Sequence, residues 1–254
     1  MSAAAEESGR LDRGDGVTLA WRRRTGRAPG VVFLSGFNSD MMGTKAEDLS
    51  AFCAARGQAF LRFDYSGHGA SGGRFTDGTI GGWAADAASV LSALTEGPQI
   101  LVGSSMGGWI ALLLALRHPA HVAGLVGVAA APDFTARITE QLVPEARAAI
   151  ERDGVWHRPS AYGDPYPITR ALLEEGRHHL LLHAPVPLSI PVRLLHGQQD
   201  PDVPWELSLR LAAAITGSDV QVTLVKDGDH RLSRPQDLLL LRRTLAALLG
   251  EDGG

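Results

Sequence analysis

Gln99-Ile100-Leu101-Val102-Gly103-Ser104-Ser105-Met106-Gly107-Gly108-Trp109 holds the pentapeptide G-x-S-x-G, with Ser105 at its centre. A short apolar run precedes it, and a longer one, Ile110-Ala111-Leu112-Leu113-Leu114-Ala115-Leu116, follows. A buried strand, a glycine-flanked serine and then a helix make a nucleophile elbow, in which a sharp turn lifts one hydroxyl clear of the sheet. The turn leaves no room for side chains beside the serine, and Gly103, Gly107 and Gly108 meet that need. The pentapeptide alone is a weak signal. The chain carries a second match, Gly69-Ala70-Ser71-Gly72-Gly73, but the polar stretch Arg74-Phe75-Thr76-Asp77-Gly78-Thr79 follows it, so Ser71 is expected in a loop. Context selects Ser105 as the nucleophile.

Outward from Ser105, short continuous apolar runs alternate with helical patterns. Gly30 to Ser35, Ala59 to Asp64, Ile100 to Gly103, Val122 to Val128, Val192 to His196 and Val220 to Val225 read as strands covered on both faces, and Val17 to Arg22 as an earlier, alternating strand. Lys45 to Arg56, Gly82 to Leu94, Gly108 to Arg117, Trp205 to Ile215 and Pro235 to Leu249 read as helices. This order predicts an α/β chain with a mainly parallel sheet and helices on both faces. Residues Ala131 to Ser189 break the rhythm. They show two helix-like pieces, Glu140 to Arg152 and Ile168 to His179, around a Pro/Tyr-rich connector, Arg158 to Pro167, and no apolar β run. Connections of this length usually carry function. Residues 132–189 are therefore expected to form a small cap on a core made of residues 1–131 and 190–254.

Composition narrows the function class. The chain has 254 residues, 44% hydrophobic and 20% charged, with net charge −4 and no basic patch of nucleic-acid type. No apolar run reaches membrane-spanning length. The acidic N-terminus, Met1-Ser2-Ala3-Ala4-Ala5-Glu6-Glu7-Ser8, lacks the apolar core of a signal peptide, which leaves a cytoplasmic location as the expectation. The single cysteine, Cys53, lies in a helical pattern with no glycine turn to present it and is expected to be a buried thiol.

A serine hydroxyl needs a base, and the base needs an acid to fix its tautomer. In this type of fold the chain order is Ser, then Asp or Glu, then His. Of nine histidines, His230 sits in the polar loop Lys226-Asp227-Gly228-Asp229-His230-Arg231 between the last strand and the last helix, where the base belongs. His196 ends a strand and is expected to be packed or hydrogen-bonded. His178, His179 and His183 lack a well-placed carboxylate, so no metal site is expected there. The pattern His196-Gly197-x-x-Asp200-x-x-Val203-Pro204 assigns Asp200 as the acid, leaving Asp202 as a turn residue and Asp229 as a loop charge. The oxyanion needs preorganised donors. Those expected are the amides of Met106, following the nucleophile, and of Phe37 in Ser35-Gly36-Phe37-Asn38, with Asn38 a lesser candidate. Trp109 suits either the core or the substrate.

Together these residues resemble the α/β-hydrolase superfamily. Phe33-Leu34-Ser35-Gly36-Phe37-Asn38-Ser39-Asp40-Met41-Met42-Gly43-Thr44-Lys45, Arg62-Phe63-Asp64-Tyr65-Ser66-Gly67, the elbow itself, Gly154-Val155-Trp156 and Arg193-Leu194-Leu195-His196-Gly197 more narrowly resemble the mitochondrial abhydrolase family of palmitoyl-protein thioesterases and acyl-glucuronide esterases. That resemblance implies the triad Ser105, Asp200 and His230, no cofactor, and a small-molecule or acylated ester or thioester substrate. The apolar cap residues point to a hydrophobic acyl part. Lactone hydrolysis, C–C hydrolysis and perhydrolysis use the same triad and stand as alternatives, as does a non-catalytic binding protein on the same fold.

Overall fold

A computed structural model describes residues 5–159 and 165–250. Residues 160–164 of the Pro/Tyr-rich connector and the first four residues of the acidic N-terminus lie outside it. In chain order the strands and α-helices are β1 (Glu7–Asp12), β2 (Thr18–Arg24), β3 (Arg27–Leu34), α1 (Thr44–Arg56), β4 (Gln58–Phe63), α2 (Ile80–Leu94), β5 (Gln99–Ser104), α3 (Met106–Arg117), β6 (Val122–Val128), α4 (Phe134–Gln141), α5 (Pro144–Asp153), β7 (Val155–Arg158), β8 (Tyr166–Thr169), α6 (Arg170–Gly176), β9 (Val192–Gly197), α7 (Glu206–Ala214), β10 (Val220–Val225) and α8 (Pro235–Leu248).

Eight strands form one sheet in the order β1-β2-β4-β3-β5-β6-β9-β10. β1 pairs with β2, and β2 with β4, antiparallel; every other pairing is parallel. Side chains alternate across each strand. Val31 and Phe33 of β3 therefore enter a core with Leu49, Phe52 and Cys53 of α1 and Leu241 and Leu245 of α8. Val32 and Leu34 enter the opposite core with Trp83 of α2, Trp109 of α3 and Leu211 of α7. Helices thus cover both faces, as the apolar runs predict. Cys53 is fully buried, and loss of water around it pushes its thiol up to about 12, which leaves it unreactive. Among the described residues no helix is long and apolar enough to cross a membrane.

The segment between β6 and β9 differs from its sequence reading. It contains an antiparallel pair, β7 and β8, with Val155 opposite Thr169 and Arg158 opposite Tyr166. Strands of only four residues, one of them holding Pro167, leave no apolar run to read. The helix read over Glu140 to Arg152 is two helices, because Pro144 cannot continue α4 and instead starts α5. Asp133, at φ 60°, stitches this segment to itself by accepting the Leu181 and Leu182 amides at 2.8 and 2.9 Å.

Candidate active site

Ser105 sits between β5 and α3 at φ 53° and ψ −116°, a strained backbone for any residue with a Cβ. The turn is held by Ser105 N–H donating to the Val128 carbonyl at 2.9 Å and by the Ser105 carbonyl accepting from Gly108 at 2.9 Å and Ala131 at 3.1 Å. A Cβ on Gly103 would collide with the Gly107 backbone, and one on Gly107 with the Leu34 carbonyl. The elbow therefore requires both glycines where the sequence has them. The competing serine, Ser71, is spent on structure: its hydroxyl donates to the Asp64 carbonyl at 2.6 Å and accepts the Ala20 amide at 2.8 Å.

The loop after β9 and the loop after β10 bring Asp200 and His230 together. His230 Nδ1 donates to Asp200 Oδ2 at 2.7 Å, which directs Nε2 away from the carboxylate. Asp200 Oδ1 accepts the amides of Asp202 and Val203 at 2.8 and 2.9 Å, so this fully buried carboxylate is gripped on both oxygens. Burial alone would push the Asp200 carboxyl up. The hydrogen bonds from His196 and His230, the charge on His230 and the Val203 amide outweigh it and hold the carboxyl well below its ordinary value. Ser105 and His230 line one cavity of about 320 Å³, the size of a small-ligand pocket. Among the described residues no hydrogen bond joins them; such bonds are often long in unliganded sites and tighten with substrate.

The two residues expected to supply oxyanion donors, Phe37 and Met106, line the same cavity. Met106 opens α3, so its N–H has no partner within the helix. Among the described residues neither the Met106 nor the Phe37 amide is spent on another acceptor. The Phe37 loop is fixed from behind by the end of β4. Asp64 Oδ1 accepts the Met41 amide at 2.7 Å, and Arg62 Nη1 donates to the Met41 carbonyl at 3.0 Å. The Phe37 ring is held edge-on by Phe75, Phe134, Trp83 and Tyr166, at centroid distances of 4.9 to 6.0 Å. Asn38 also lines the cavity, at φ 53°. Trp109, left open between core and substrate, is fully buried and donates from Nε1 to the His179 carbonyl at 3.1 Å.

His196 does more than pack. Its Nε2 lies 3.1 Å from the Val203 carbonyl and 3.2 Å from Asp200 Oδ2, both acceptors, so Nε2 carries the proton. Nδ1 then accepts from the Ser208 hydroxyl at 2.7 Å. Sequence reading places His196 correctly but gives no sign of Ser208, twelve residues on in α7. Ser208→Ala strands a buried acceptor and is expected to cost about 1–3 kcal/mol of stability, read as a lower urea midpoint at unchanged m-value.

Of the three histidines set aside as lacking a carboxylate, His179 does have one. His179 Nε2 donates to Glu175, while His179 Nδ1 takes a hydrogen bond from Arg117 at 2.6 Å, which ties α6 to α3. Among the described residues the one group with metal-ligand spacing is Asp200, Asp202 and His230, and there both oxygens of Asp200 are already engaged by protein donors. Asp229, read as a loop charge, accepts the Leu232 amide at 2.9 Å and so shapes the turn after His230.

Comparison with known proteins extends this geometry. The palmitoyl-protein thioesterase ABHD10, mitochondrial, of Bos taurus is 44% identical over 241 residues, covering 94% of this chain and 79% of that protein. The structure of α/β-hydrolase domain-containing protein 10 from mouse superposes with a TM-score of 0.90 at 42% identity, covering 96% of this chain and 99% of the other. A putative hydrolase from Agrobacterium vitis S4 superposes at 0.91 with 41% identity, covering 96% and 98%. The cytoplasmic location expected from the sequence is overturned here, because the mammalian relatives, human among them, are named as mitochondrial. An acidic terminus without an apolar core is no guide to compartment, since address signals are read by receptors and lie outside the folded domain. The model of the alpha/beta hydrolase family matches residues 31–239, from the strand leading to Phe37 through the loop bearing His230, and the chain belongs to that family.

Proposed function

We propose that this protein is a serine hydrolase that cleaves carboxylic esters or thioesters through an acyl-enzyme. Ser105 Oγ attacks the acyl carbonyl as His230 Nε2 takes its proton, and the tetrahedral oxyanion accepts from the Phe37 and Met106 amides. The bond to the leaving group then breaks, and His230 returns the proton to the departing oxygen or sulfur. Water attacks the acyl-serine, passing its proton to His230; the carboxylic acid leaves and Ser105 regains its hydrogen. Asp200 stays ionised throughout, orienting His230 and stabilising its positive form. Residues 132–189 serve as a cap, and their Phe134, Ile138 and Ile168 give the acyl part an apolar lining. The thioesterase named among the relatives supports a thioester as well as an ester substrate.

The observation that carries this reading is Ser105, raised on a strained turn, sharing one cavity with a histidine whose far nitrogen is bound to a buried carboxylate. A fluorophosphonate probe should label the wild type stoichiometrically at Ser105, and a panel of p-nitrophenyl acyl esters should be cleaved. A folded wild type that neither labels nor cleaves defeats the proposal.

A further inference from the structure

His230 sits in a strained turn. Two residues on, Leu232 is buried at φ 42°, in the left-handed region that a leucine rarely adopts. Such a conformation persists only where its surroundings over-determine it. Here the Arg231–Leu232 peptide is gripped on both sides. Its N–H donates to Asp229 Oδ1 at 2.9 Å. Its carbonyl accepts from Lys45 Nζ at 2.5 Å and from the Ser233 hydroxyl at 3.1 Å. A cation at the carbonyl and an anion at the N–H make charge-assisted bonds to opposite ends of one peptide dipole.

Lys45 differs from the other groups that hold this peptide. Asp229 and Ser233 belong to the loop itself, whereas Lys45 is the second residue of α1, the helix that follows the loop carrying Phe37. A helix N-terminus is a poor place for a cation, because the dipole there is positive. The side chain is half-buried and lines the Ser105 cavity, as do His230, Asp40, Asp202, Arg137 and Arg158. Loss of water and then the charge on Arg231 bring Lys45 down to about 8, against the pull of Asp229 and of Asp237, which Arg234 already engages. Helix stability does not explain a lysine placed so; its reach to Arg231, 186 residues on, does. Upstream of His230, the Gly228 carbonyl accepts the Gln199 amide at 2.9 Å, in the loop that bears Asp200. His230 is thus tied to the loop of its carboxylate on one side and to α1 on the other.

We propose that Lys45 is a positioning residue: its ammonium and the Asp229 carboxylate clamp the Arg231–Leu232 peptide from opposite sides and so fix His230 between Asp200 and Ser105. The clamp rests on the serine-hydrolase reading for its effect on rate, though not for its effect on the turn.

The test begins with Lys45→Met, which keeps a long unbranched side chain and removes its donor. At pH 7 kcat for a p-nitrophenyl ester should fall about 10- to 100-fold, the scale of a small misplacement of a catalytic group, while KM changes by less than about twofold. Each kcat is counted per site titrated to completion with fluorophosphonate, so unfolded protein does not enter it. The advantage of the wild type over Lys45→Met should shrink from pH 7 to pH 10, because the amine sheds its charge through about 8 and its bond to the carbonyl weakens. Asp229→Ala frees the same peptide from its other side. It should lower kcat too, and the double variant should lose less than the product of the two single losses. An unchanged kcat, a loss confined to KM, an advantage that does not vary with pH, or losses that multiply overturns the proposal. If the wild type neither labels nor cleaves, the catalytic reading fails separately, and crystal structures decide the clamp. In Lys45→Met, Leu232 should leave its left-handed φ or His230 should leave Asp200, and an unmoved loop overturns it.

Discussion

Ser105→Ala is expected to lower kcat for an activated ester by about five to six orders of magnitude and to abolish fluorophosphonate labelling, while the thermal midpoint stays near the wild-type value. The loss is large because nucleophile, base and acid act as one unit, so removing the attacking atom removes what the others assist. Stability is spared because alanine keeps the Cβ and therefore the strain of φ 53° and ψ −116°. Ser105→Gly separates the two effects. It too lacks the hydroxyl, but it releases a conformation that costs a residue with a Cβ about 1–3 kcal/mol, less about 0.5–1 kcal/mol for the extra chain entropy of glycine. At this chain length a net gain of about 1 kcal/mol raises the midpoint by about 2–4 °C above that of Ser105→Ala. Equal midpoints for the two variants would show that the elbow stores no strain, and an active Ser105→Ala would remove the serine from the chemistry.

Why that elbow is legible in sequence, and other parts are not, follows from what each element must bury. β3, β5, β6 and β9 lie inside the sheet with helices on both faces, so their apolar runs are continuous and easily read. β1 is an edge strand of sequence Glu-Ser-Gly-Arg-Leu-Asp with four of its six residues exposed, and nothing in its composition signals a strand. It is held by pairing with β2 and by Glu6, just before it, whose carboxylate accepts from the buried Arg62 at 2.8 Å. The same contrast runs through the site. Asp200 and His230 can be named because each follows a readable strand in the required order. Phe37 and Met106 can be named because the elbow and the loop after β3 must lie side by side. Ser208 sits on the amphipathic α7, where such residues are commonplace, and only the folded arrangement brings it to His196. Arg62 and Asp64 are similar: within a strand they read as polar interruptions, yet together they anchor the loop that presents Phe37.

Asp200→Asn is the sharper test of the hydrogen-bond network, with an expected fall in kcat of about four orders of magnitude at neutral pH. A carboxylate only accepts, and each of the four groups that meet Asp200 is a donor: the His230 and His196 rings at one oxygen, the Asp202 and Val203 amides at the other. An amide must turn its NH2 toward one pair. Facing the main-chain amides it opposes two donors that cannot change. Facing the rings it forces His230 to accept at Nδ1, which puts the proton on Nε2 and leaves no lone pair for the Ser105 hydroxyl. It also confronts His196, whose Nε2 proton is committed to the Val203 carbonyl. Stability should therefore fall as well, by about 3 kcal/mol, the scale of a buried charged group losing its match. The pH dependence carries the sign. The folded state holds the Asp200 carboxyl below its unfolded value of about 3.9, so its contribution is complete above that pH and drains away as pH falls toward the folded value. Urea unfolding from pH 5 down through pH 2 should show a steeper loss of stability in the wild type than in Asp200→Asn, which has no carboxyl there to protonate. Parallel curves would mean that Asp200 is not held in its charged form by these donors, and a variant with wild-type kcat would mean that His230 takes its orientation from elsewhere.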